Sequence, residues 1–204
     1  MPVNGDAEIQ ARSLDEHWQG LEAPRIAPAR PGAVSIWVRP LLKLAGRVTG
    51  GPPPNIFATL AKNPKLFASW VVFGARLMPR GKLARVDTEL VILRVAYNNR
   101  CRYEWDHHVR IGKRSGLTDA EIDRVAAGPA AAEWSEHRRA LLAACDEMHA
   151  QRLISDATWS ALAIELSEQQ MIELTMLIGH YSMLAAAIAT LGVQPEATDP
   201  AHRR

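Results

Sequence analysis

Residues 85–125 read RVDTELVILRVAYNNRCRYEWDHHVRIGKRSGLTDAEIDRV, and three helices can be placed on them. Apolar residues from Val86 to Asn99 recur at helical spacing and occupy nearly every side, which predicts a buried central helix. The next helix is predicted from Cys101 to Ser115, because Gly116 follows where a left-handed C-cap costs least. The stretch from Thr118 to Glu121 has the spacing of a capping box and opens a third, short helix.

Helical spacing of apolar residues extends from Asn55 to Val193, and no segment there alternates as a strand would. We therefore predict an all-α protein with about seven to eight helices. The Asn63-Pro64 step and the capping residues Ser155 and Ser167 set further boundaries. The remaining predicted helices span residues 56–62, 64–78, 132–152, 156–166 and 168–191.

The N-terminal segment differs from the rest, because seven prolines fall between Pro24 and Pro54. Proline fixes φ and lacks a backbone donor, so regular structure is predicted to be sparse there and the helical body to begin near Asn55. The apolar piece from Val34 to Leu44 could wrap over a neighbouring subunit or form a loosely ordered arm. We divide the chain into a Pro-rich extension (1–54), a helical domain (55–195) and a polar C-terminal tail (196–204).

The composition is that of an ordinary globular protein, with 204 residues, 48% of them apolar and 23% charged. The net charge of +2 is spread in mixed signs, which does not indicate nucleic-acid binding. Residues 76–114 are an exception, with eight Arg and two Lys against four acidic residues, a local charge of +6. This region could attract an anionic small molecule, although a solvated face or a subunit contact would show the same pattern.

Two segments bear on location and partners. Residues 1–20 hold four acidic residues and no apolar run, which argues against a secretory signal, so a cytoplasmic location is expected. The segment from Met171 to Val193 is long and apolar but contains Glu173 and His180, so we predict a buried helix and no membrane partner. Small residues near Ala185 would let another helix approach closely, within the subunit or in a homo-oligomer.

Only two cysteines are present, Cys101 and Cys145, and they lie 44 positions apart. No CxxC pair, disulfide framework or Cys/His zinc spacing can be written with them, so neither a disulfide nor a metal is expected. Cys101 would begin a helix, where the positive end of the macrodipole favours a thiolate. The alternative is that Cys101 is a small buried filler.

A carboxylate and a histidine are predicted to meet in the core. Glu89 lies on the apolar central helix, where an unpaired carboxylate would be costly, so it needs a partner. Glu104 and His108 are four positions apart and share one face of the next helix, and His108 is a natural partner for Glu89. A carboxylate that holds an imidazole raises its basicity, as proton transfer near neutral pH requires. The alternative is an exposed structural pair of Glu104 and His108.

The same residues carry a family resemblance. Residues 55–193, and most clearly residues 83–125, resemble the carboxymuconolactone decarboxylase family, in the superfamily that also holds the AhpD alkylhydroperoxidases. In the AhpD pattern, E-x11-C-x2-C-x3-H, Glu89, Cys101 and His108 fill three places, and Glu104 stands at the second cysteine. The letters YEW followed by the histidine are similar to the form common in the decarboxylase branch.

This resemblance implies an AhpD-like antiparallel helical bundle, cofactor-free chemistry and subunits that associate as trimers or hexamers. The missing second cysteine separates the chain from dithiol peroxidases, in which one thiol attacks and another resolves the product. In the leading hypothesis His108 is the general acid and base, Glu89 orients it, and Glu104 holds or relays a proton, with Cys101 beside them. The predicted substrate-binding residues are Tyr103, Arg85, Arg94, His180 and Tyr181, and His107 is expected to be structural.

Three functions remain open from the sequence. The first is a cofactor-free lyase or isomerase related to 4-carboxymuconolactone decarboxylase, acting on an anionic lactone or keto acid. The second is a thiol-dependent peroxidase that uses Cys101 with an external resolving thiol. The third is a non-catalytic oligomeric binding protein in which Glu89 and His108 form a structural pair.

Overall fold

The computed structural model describes residues 16–49 and 53–196, and within those ranges the protein is all-helical, as predicted. In the described part of the chain, a short 3₁₀ turn at Pro31–Ala33 precedes nine α-helices. The helices are α1 (Arg39–Thr49), α2 (Asn55–Leu60), α3 (Pro64–Leu77), α4 (Arg85–Asn98), α5 (Arg102–Ser115), α6 (Asp119–Ala127), α7 (Glu136–Gln151), α8 (Asp156–Leu162) and α9 (Glu168–Leu191).

Helix α4 is the centre of the bundle. Every residue from Thr88 to Ala96 is buried, and the helix packs against α5, α6, α7 and α9. Its apolar residues cover all sides because helices surround it, as the sequence pattern predicted. Leu141 and Leu142 of α7 and Leu177 of α9 pack into the same core. Each such buried side chain stabilises the fold by about 1.5–3 kcal/mol.

Most predicted helix ends are confirmed by their caps. Gly116 has a φ of 111°, and the capping box at Thr118 is formed by both of its hydrogen bonds. Two boundaries were wrong by one turn. Helix α7 begins at Glu136 rather than residue 132, because Ser135 is its N-cap, and α8 ends at Leu162 rather than residue 166.

The N-terminal segment is more regular than the proline count predicted. Helix α1 lies within it, and Pro40 occupies the first turn of that helix, where the missing N–H is not needed. Val34, Val38 and Leu42 are buried against Phe67 of α3. These three residues pack on their own chain, so their burial does not require a neighbouring subunit.

Residues 16–30 also lie along the bundle. Nε2 of His17 is 2.7 Å from the carbonyl oxygen of Tyr97, and the backbone N–H of Gln19 donates to Arg100. The ring of Trp18 packs against Tyr97 and Trp105. The extension is thereby fixed to the C-terminal end of α4 and the start of α5.

Helix α9 has two different sides. Leu174, Leu177 and Ile178 are buried, as predicted, whereas Ile172 and Met176 are exposed. Among the described residues, α9 is long and apolar enough to cross a membrane. The core helix of a soluble bundle meets the same criteria of length and composition. The exposed apolar side leaves a surface on which another chain could pack.

Candidate active site

A buried carboxylate and imidazole meet between α4 and α5. Oε2 of Glu89 lies 2.7 Å from Nδ1 of His108, and Glu89 has no exposed surface. The predicted contact is thus present. It fixes the ring of His108, and no hydrogen bond within the described residues engages its second nitrogen, Nε2. An imidazole held at one nitrogen and open at the other is suited to proton transfer.

Arg85 is the third member of this cluster. Its Nη2 lies 2.7 Å from Oε1 of Glu89, one helical turn further along α4. The other terminal nitrogen, Nη1, is buried and has no hydrogen-bond partner in the described part of the chain. A guanidinium that retains a free donor can bind a carboxylate, which is the role predicted for Arg85.

Glu104 is a second buried carboxyl group, one turn before His108. Neither of its oxygens has a hydrogen-bond partner of ordinary geometry among the described residues, and only 3% of the residue is exposed. Burial raises the pKa of Glu104 well above its usual value, and the interaction with the thiol of Cys101 offsets this only in part. The neutral acid is therefore favoured, and it can donate a proton.

The two cysteines are buried thiols in separate places. Burial, followed by the charge of Glu104, raises the pKa of Cys101 well above its usual value, although Cys101 is the N-cap of α5. The predicted thiolate is therefore wrong, because desolvation outweighs the helix terminus. Cys145 is buried in α7, where its Sγ lies 3.2 Å from the carbonyl oxygen of Leu141, and it belongs to a different apolar cluster. Both cysteines are free.

Two predicted substrate-binding residues are engaged elsewhere. The hydroxyl of Tyr103 donates to Oε1 of Glu196 at 2.7 Å and accepts from the backbone N–H of Ile56 at 3.2 Å. Arg94 donates to both oxygens of Asp146, at 2.6 and 2.8 Å. Five positions separate Arg94 from Glu89 on α4, which turns its side chain toward α7 rather than α5. Both side chains serve the fold, so their predicted role at the substrate is withdrawn.

Tyr181 of α9 completes the cluster. Its ring meets that of His108 edge-to-face at 5.1 Å, and its hydroxyl donates to Sδ of Met78 at 3.7 Å. Burial and then the charges of Glu89 and Glu104 raise the pKa of Tyr181 well above its usual value. This phenol lies near both carboxyl groups and has a weak sulfur acceptor, so it can donate to a better one.

His180 borders the same region on the side of α3. Its Nδ1 has no partner in the described residues, and burial lowers its pKa to about 4, so the ring is neutral at pH 7. The rings of Trp70 and Phe73 lie 6.0 and 5.2 Å from it, and Gly74 leaves room for its Nε2. These three α3 residues were not singled out from the sequence, although their spacing places them on one side of that helix.

A cleft opens beside the start of α5. It has a volume of about 310 Å³ and lies between the N-terminal segment at Trp18–Leu21 and the chain after α9. Cys101 and Tyr103 line it, together with Ile188 and Pro195. Within the described ranges, no group of three or more His, Cys, Asp or Glu side chains is arranged as metal ligands would be.

Solved structures place the chain among AhpD-like helical proteins. An uncharacterized peroxidase-related protein from Ralstonia eutropha, described as an alkylhydroperoxidase AhpD core, matches with a TM-score of 0.75 and 20% identity, over 85% of this chain and 93% of that one. A debrominase matches with a TM-score of 0.73 and 19% identity, over 86% and 94%. A variant of the debrominase in complex with 2,3,4-tribromopyrrole gives 0.75 and 18%, over 90% and 97%. Identities this low establish the fold alone.

A sequence comparison supports the family resemblance over part of the chain. Residues 64–147 match the sequence model of the carboxymuconolactone decarboxylase family, and that segment contains the whole motif from Glu89 to His108. This match confirms, over that segment, the family resemblance that the motif indicated. No curated protein sequence is similar enough to the chain to count as a match.

Proposed function

We propose that the protein is a cofactor-free lyase or isomerase that acts by proton transfer on an anionic lactone or keto acid, in the manner of 4-carboxymuconolactone decarboxylase. The observation that carries this proposal is the 2.7 Å contact between Glu89 and His108, with the unpartnered carboxyl of Glu104 buried nearby. One carboxylate orients a base, and the other carboxyl is held as an acid. Separating two such groups by environment is how a single site supplies both roles.

The cluster supports a decarboxylation in which few groups move. The free Nη1 of Arg85 binds the substrate carboxylate. When the carbon–carbon bond breaks, carbon dioxide leaves and its electron pair passes to an enolate whose oxygen accepts a hydrogen bond from Tyr181. Glu104 then donates its proton to carbon. In this scheme Tyr181, rather than Tyr103, binds the substrate oxygen, because the hydroxyl of Tyr103 is occupied by Glu196.

His108 suits the alternative outcome, isomerisation. An imidazole oriented by Glu89 and open at Nε2 can remove a proton from one carbon and return it to another. The same pair can also return a proton to Glu104 after decarboxylation. Both reactions would use the held imidazole and the neutral acid, so the cluster supports either product from the proposed acid substrate.

The thiol-dependent alternative is disfavoured. Two of the similar structures carry peroxidase-related descriptions, but a peroxidatic cysteine attacks as a thiolate. Burial and the neighbouring Glu104 raise the pKa of Cys101, and Cys145 lies in another cluster, where it cannot resolve a product. Peroxide reduction would therefore require an external thiol and an activation of Cys101 that its surroundings oppose.

We also expect the protein to be a homo-oligomer, as the family resemblance implied. Met176 and Met183 of α9 are about half exposed, and Ile172 lies beside them at helical spacing. Val72 and Phe73 of the adjoining α3 are exposed as well. A second copy of the chain on this surface would remove apolar area from water beside His180.

The test is turnover of 4-carboxymuconolactone by the purified protein, followed by ultraviolet absorbance and carbon dioxide release. His108→Ala should lower the rate by about 10²–10⁴, the usual contribution of a general acid or base. The neighbouring His107→Ala is the matched control and should retain activity. Cys101→Ser separates this chemistry from thiol catalysis, which it would abolish.

Loss of turnover in Cys101→Ser but not in His108→Ala would contradict the proposal. Turnover of no acid substrate, together with lower thermal stability in His108→Ala, would support the non-catalytic alternative, in which Glu89 and His108 are a structural pair.

A further inference from the structure

The segment between α3 and α4 is held by one carboxylate from another helix. Glu173, in the second turn of α9, accepts hydrogen bonds from the backbone N–H groups of Lys82 and Leu83, at 2.6 and 3.0 Å. Nε2 of Gln170, one turn earlier on α9, donates to the carbonyl oxygen of Lys82 at 3.2 Å. A side chain at Gly81 would collide with the carboxylate of Glu173, so the glycine leaves the space that this contact needs.

Helix α4 has no side-chain cap of its own at the end where this segment enters it. Its N-cap is Ala84, which makes no side-chain hydrogen bond, whereas α6, α7, α8 and α9 are each capped by a Ser or Thr hydroxyl. Arg85, the first residue of α4, is only two positions from Leu83. The direction in which the Arg85 side chain leaves the helix therefore depends on how the segment before it is held.

The two ends of the segment contact the proposed catalytic cluster. At the α4 end, Nη2 of Arg85 lies 2.7 Å from Oε1 of Glu89, and its Nη1 is buried without a partner among the described residues. At the α3 end, Sδ of Met78 accepts from the hydroxyl of Tyr181 at 3.7 Å. The segment thus ends at Arg85 and touches Tyr181, the two groups assigned to the substrate carboxylate and oxygen.

We propose that Glu173 is a positioning residue for Arg85. The carboxylate of Glu173 does not touch the substrate, but it fixes the two N–H groups before α4 and, through them, the guanidinium that binds the substrate carboxylate. Its effect on the substrate rests on the proposed function. Its effect on Arg85 does not, because the guanidinium is held against Glu89 without a substrate.

The experiment follows the segment and Arg85 separately in Glu173→Gln by nuclear magnetic resonance. The glutamine keeps one acceptor oxygen but presents an NH₂ group where the second acceptor is needed. We expect hydrogen exchange at the N–H groups of Lys82 and Leu83 to become roughly tenfold faster or more, since local opening then costs less. Rotation of the Arg85 guanidinium about its Nε–Cζ bond should become faster too, and Arg85→Lys identifies its signals by removing them.

Two comparisons separate positioning from a general effect on stability. Glu168→Gln makes the same chemical change at an exposed position on α9 and should leave both readouts at their wild-type values. The backbone N–H of Arg80 lies in the same segment but donates to the carbonyl oxygen of Ala75, at 3.3 Å. Its exchange should therefore change less in Glu173→Gln than that of Lys82.

Unchanged exchange at Lys82 and Leu83 in Glu173→Gln would overturn the proposal. Faster exchange there, with an Arg85 guanidinium that rotates as in the wild type, would overturn it as well. Equal acceleration across α4 and α7 would also do so, because it would show a general loss of stability. All three measurements are made without a substrate, so failure of the wild type to turn over any acid would count against the proposed function alone.

An acid that is turned over would allow a kinetic test. Glu173→Gln should then raise KM more than it lowers kcat, because Arg85 binds the substrate carboxylate both before and during the reaction. A fall in kcat with KM unchanged would contradict a role through Arg85.

Discussion

Two adjacent histidines on α5 each contact a carboxylate, yet their surroundings differ. Nδ1 of His108 contacts Glu89, which is fully buried on α4, and its Nε2 remains open. His107 has both nitrogens engaged, Nδ1 with the carbonyl oxygen of Tyr103 at 2.8 Å and Nε2 with Glu196 at 3.1 Å. One step along a helix turns a side chain by about 100°, enough to direct the two rings to different sides.

This difference separates the candidate catalytic histidine, His108, from a histidine with a structural role, His107. Glu196 also accepts from the hydroxyl of Tyr103 and from the backbone N–H of Asn55, so this contact holds the chain after α9 against α5. A histidine with both nitrogens occupied has no place for a substrate proton. The motif letters alone do not distinguish the two histidines. The structure does, because a second polar contact engages the ring of His107 but not that of His108.

Removal of Glu89, the buried carboxylate that contacts His108, should have the largest effect. Glu89→Ala would leave His108 and Arg85 without their partner in the core, and we expect the free energy of unfolding to fall by about 3–5 kcal/mol. The lower end applies here because Arg85 is about one-third exposed and can reach water. Urea denaturation measures the loss, with Glu89→Gln as the control that keeps an acceptor for His108. A loss below about 1 kcal/mol would mean that the pair is open to solvent.

The contact between Glu89 and His108 was predictable, because both residues lie within one local sequence motif. Glu89 on an apolar helix needs a partner, and its distance from His108 suits two helices joined by a short turn. The all-round apolar pattern of α4 likewise identified the central helix. Both features were confirmed because burial of α4 leaves few alternatives.

The contacts of Tyr103 and His107 and the cleft beside Cys101 were not predictable, because they involve residues before α1 and after α9. Nothing about Glu196 in the sequence indicates that it meets Tyr103, and nothing about Trp18 indicates the cleft beside Cys101. The thiolate prediction failed for a related reason. The position of Cys101 at a helix start is visible in the sequence, but its burial beside Glu104 depends on tertiary packing, and desolvation has the larger effect.

Glu196, the carboxylate that contacts His107, should make the stability of the fold depend on pH. Burial raises the pKa of Glu196, but hydrogen bonds from His107, from the backbone of Asn55 and from Tyr103 outweigh it and lower the pKa from 4.5 to about 2. A carboxyl whose pKa is lowered in the folded state stabilises the fold above its unfolded pKa. This contribution is present above about pH 4.5 and is lost as the pH falls toward 2.

Glu196→Gln should therefore be less stable than the wild type by about 2 kcal/mol above pH 4.5, where hydrogen bonds to a charged group count fully. The difference should shrink as the pH falls to 2, and thermal unfolding at a series of pH values measures it. A difference that stays constant over this window would mean that Glu196 does not hold the segment through its charge.

The smallest effect is expected at His107. His107→Gln removes one of three contacts to Glu196, while Tyr103 and the backbone of Asn55 still donate to it. We expect a loss of about 0.5–1 kcal/mol, measured by urea denaturation beside the wild type. Turnover of an acid substrate should not change. If His107→Gln lowered turnover as strongly as His108→Ala, the assignment of a catalytic role to His108 and a structural role to His107 would be wrong. The free nitrogen of His108 would then not be what sets the two histidines apart.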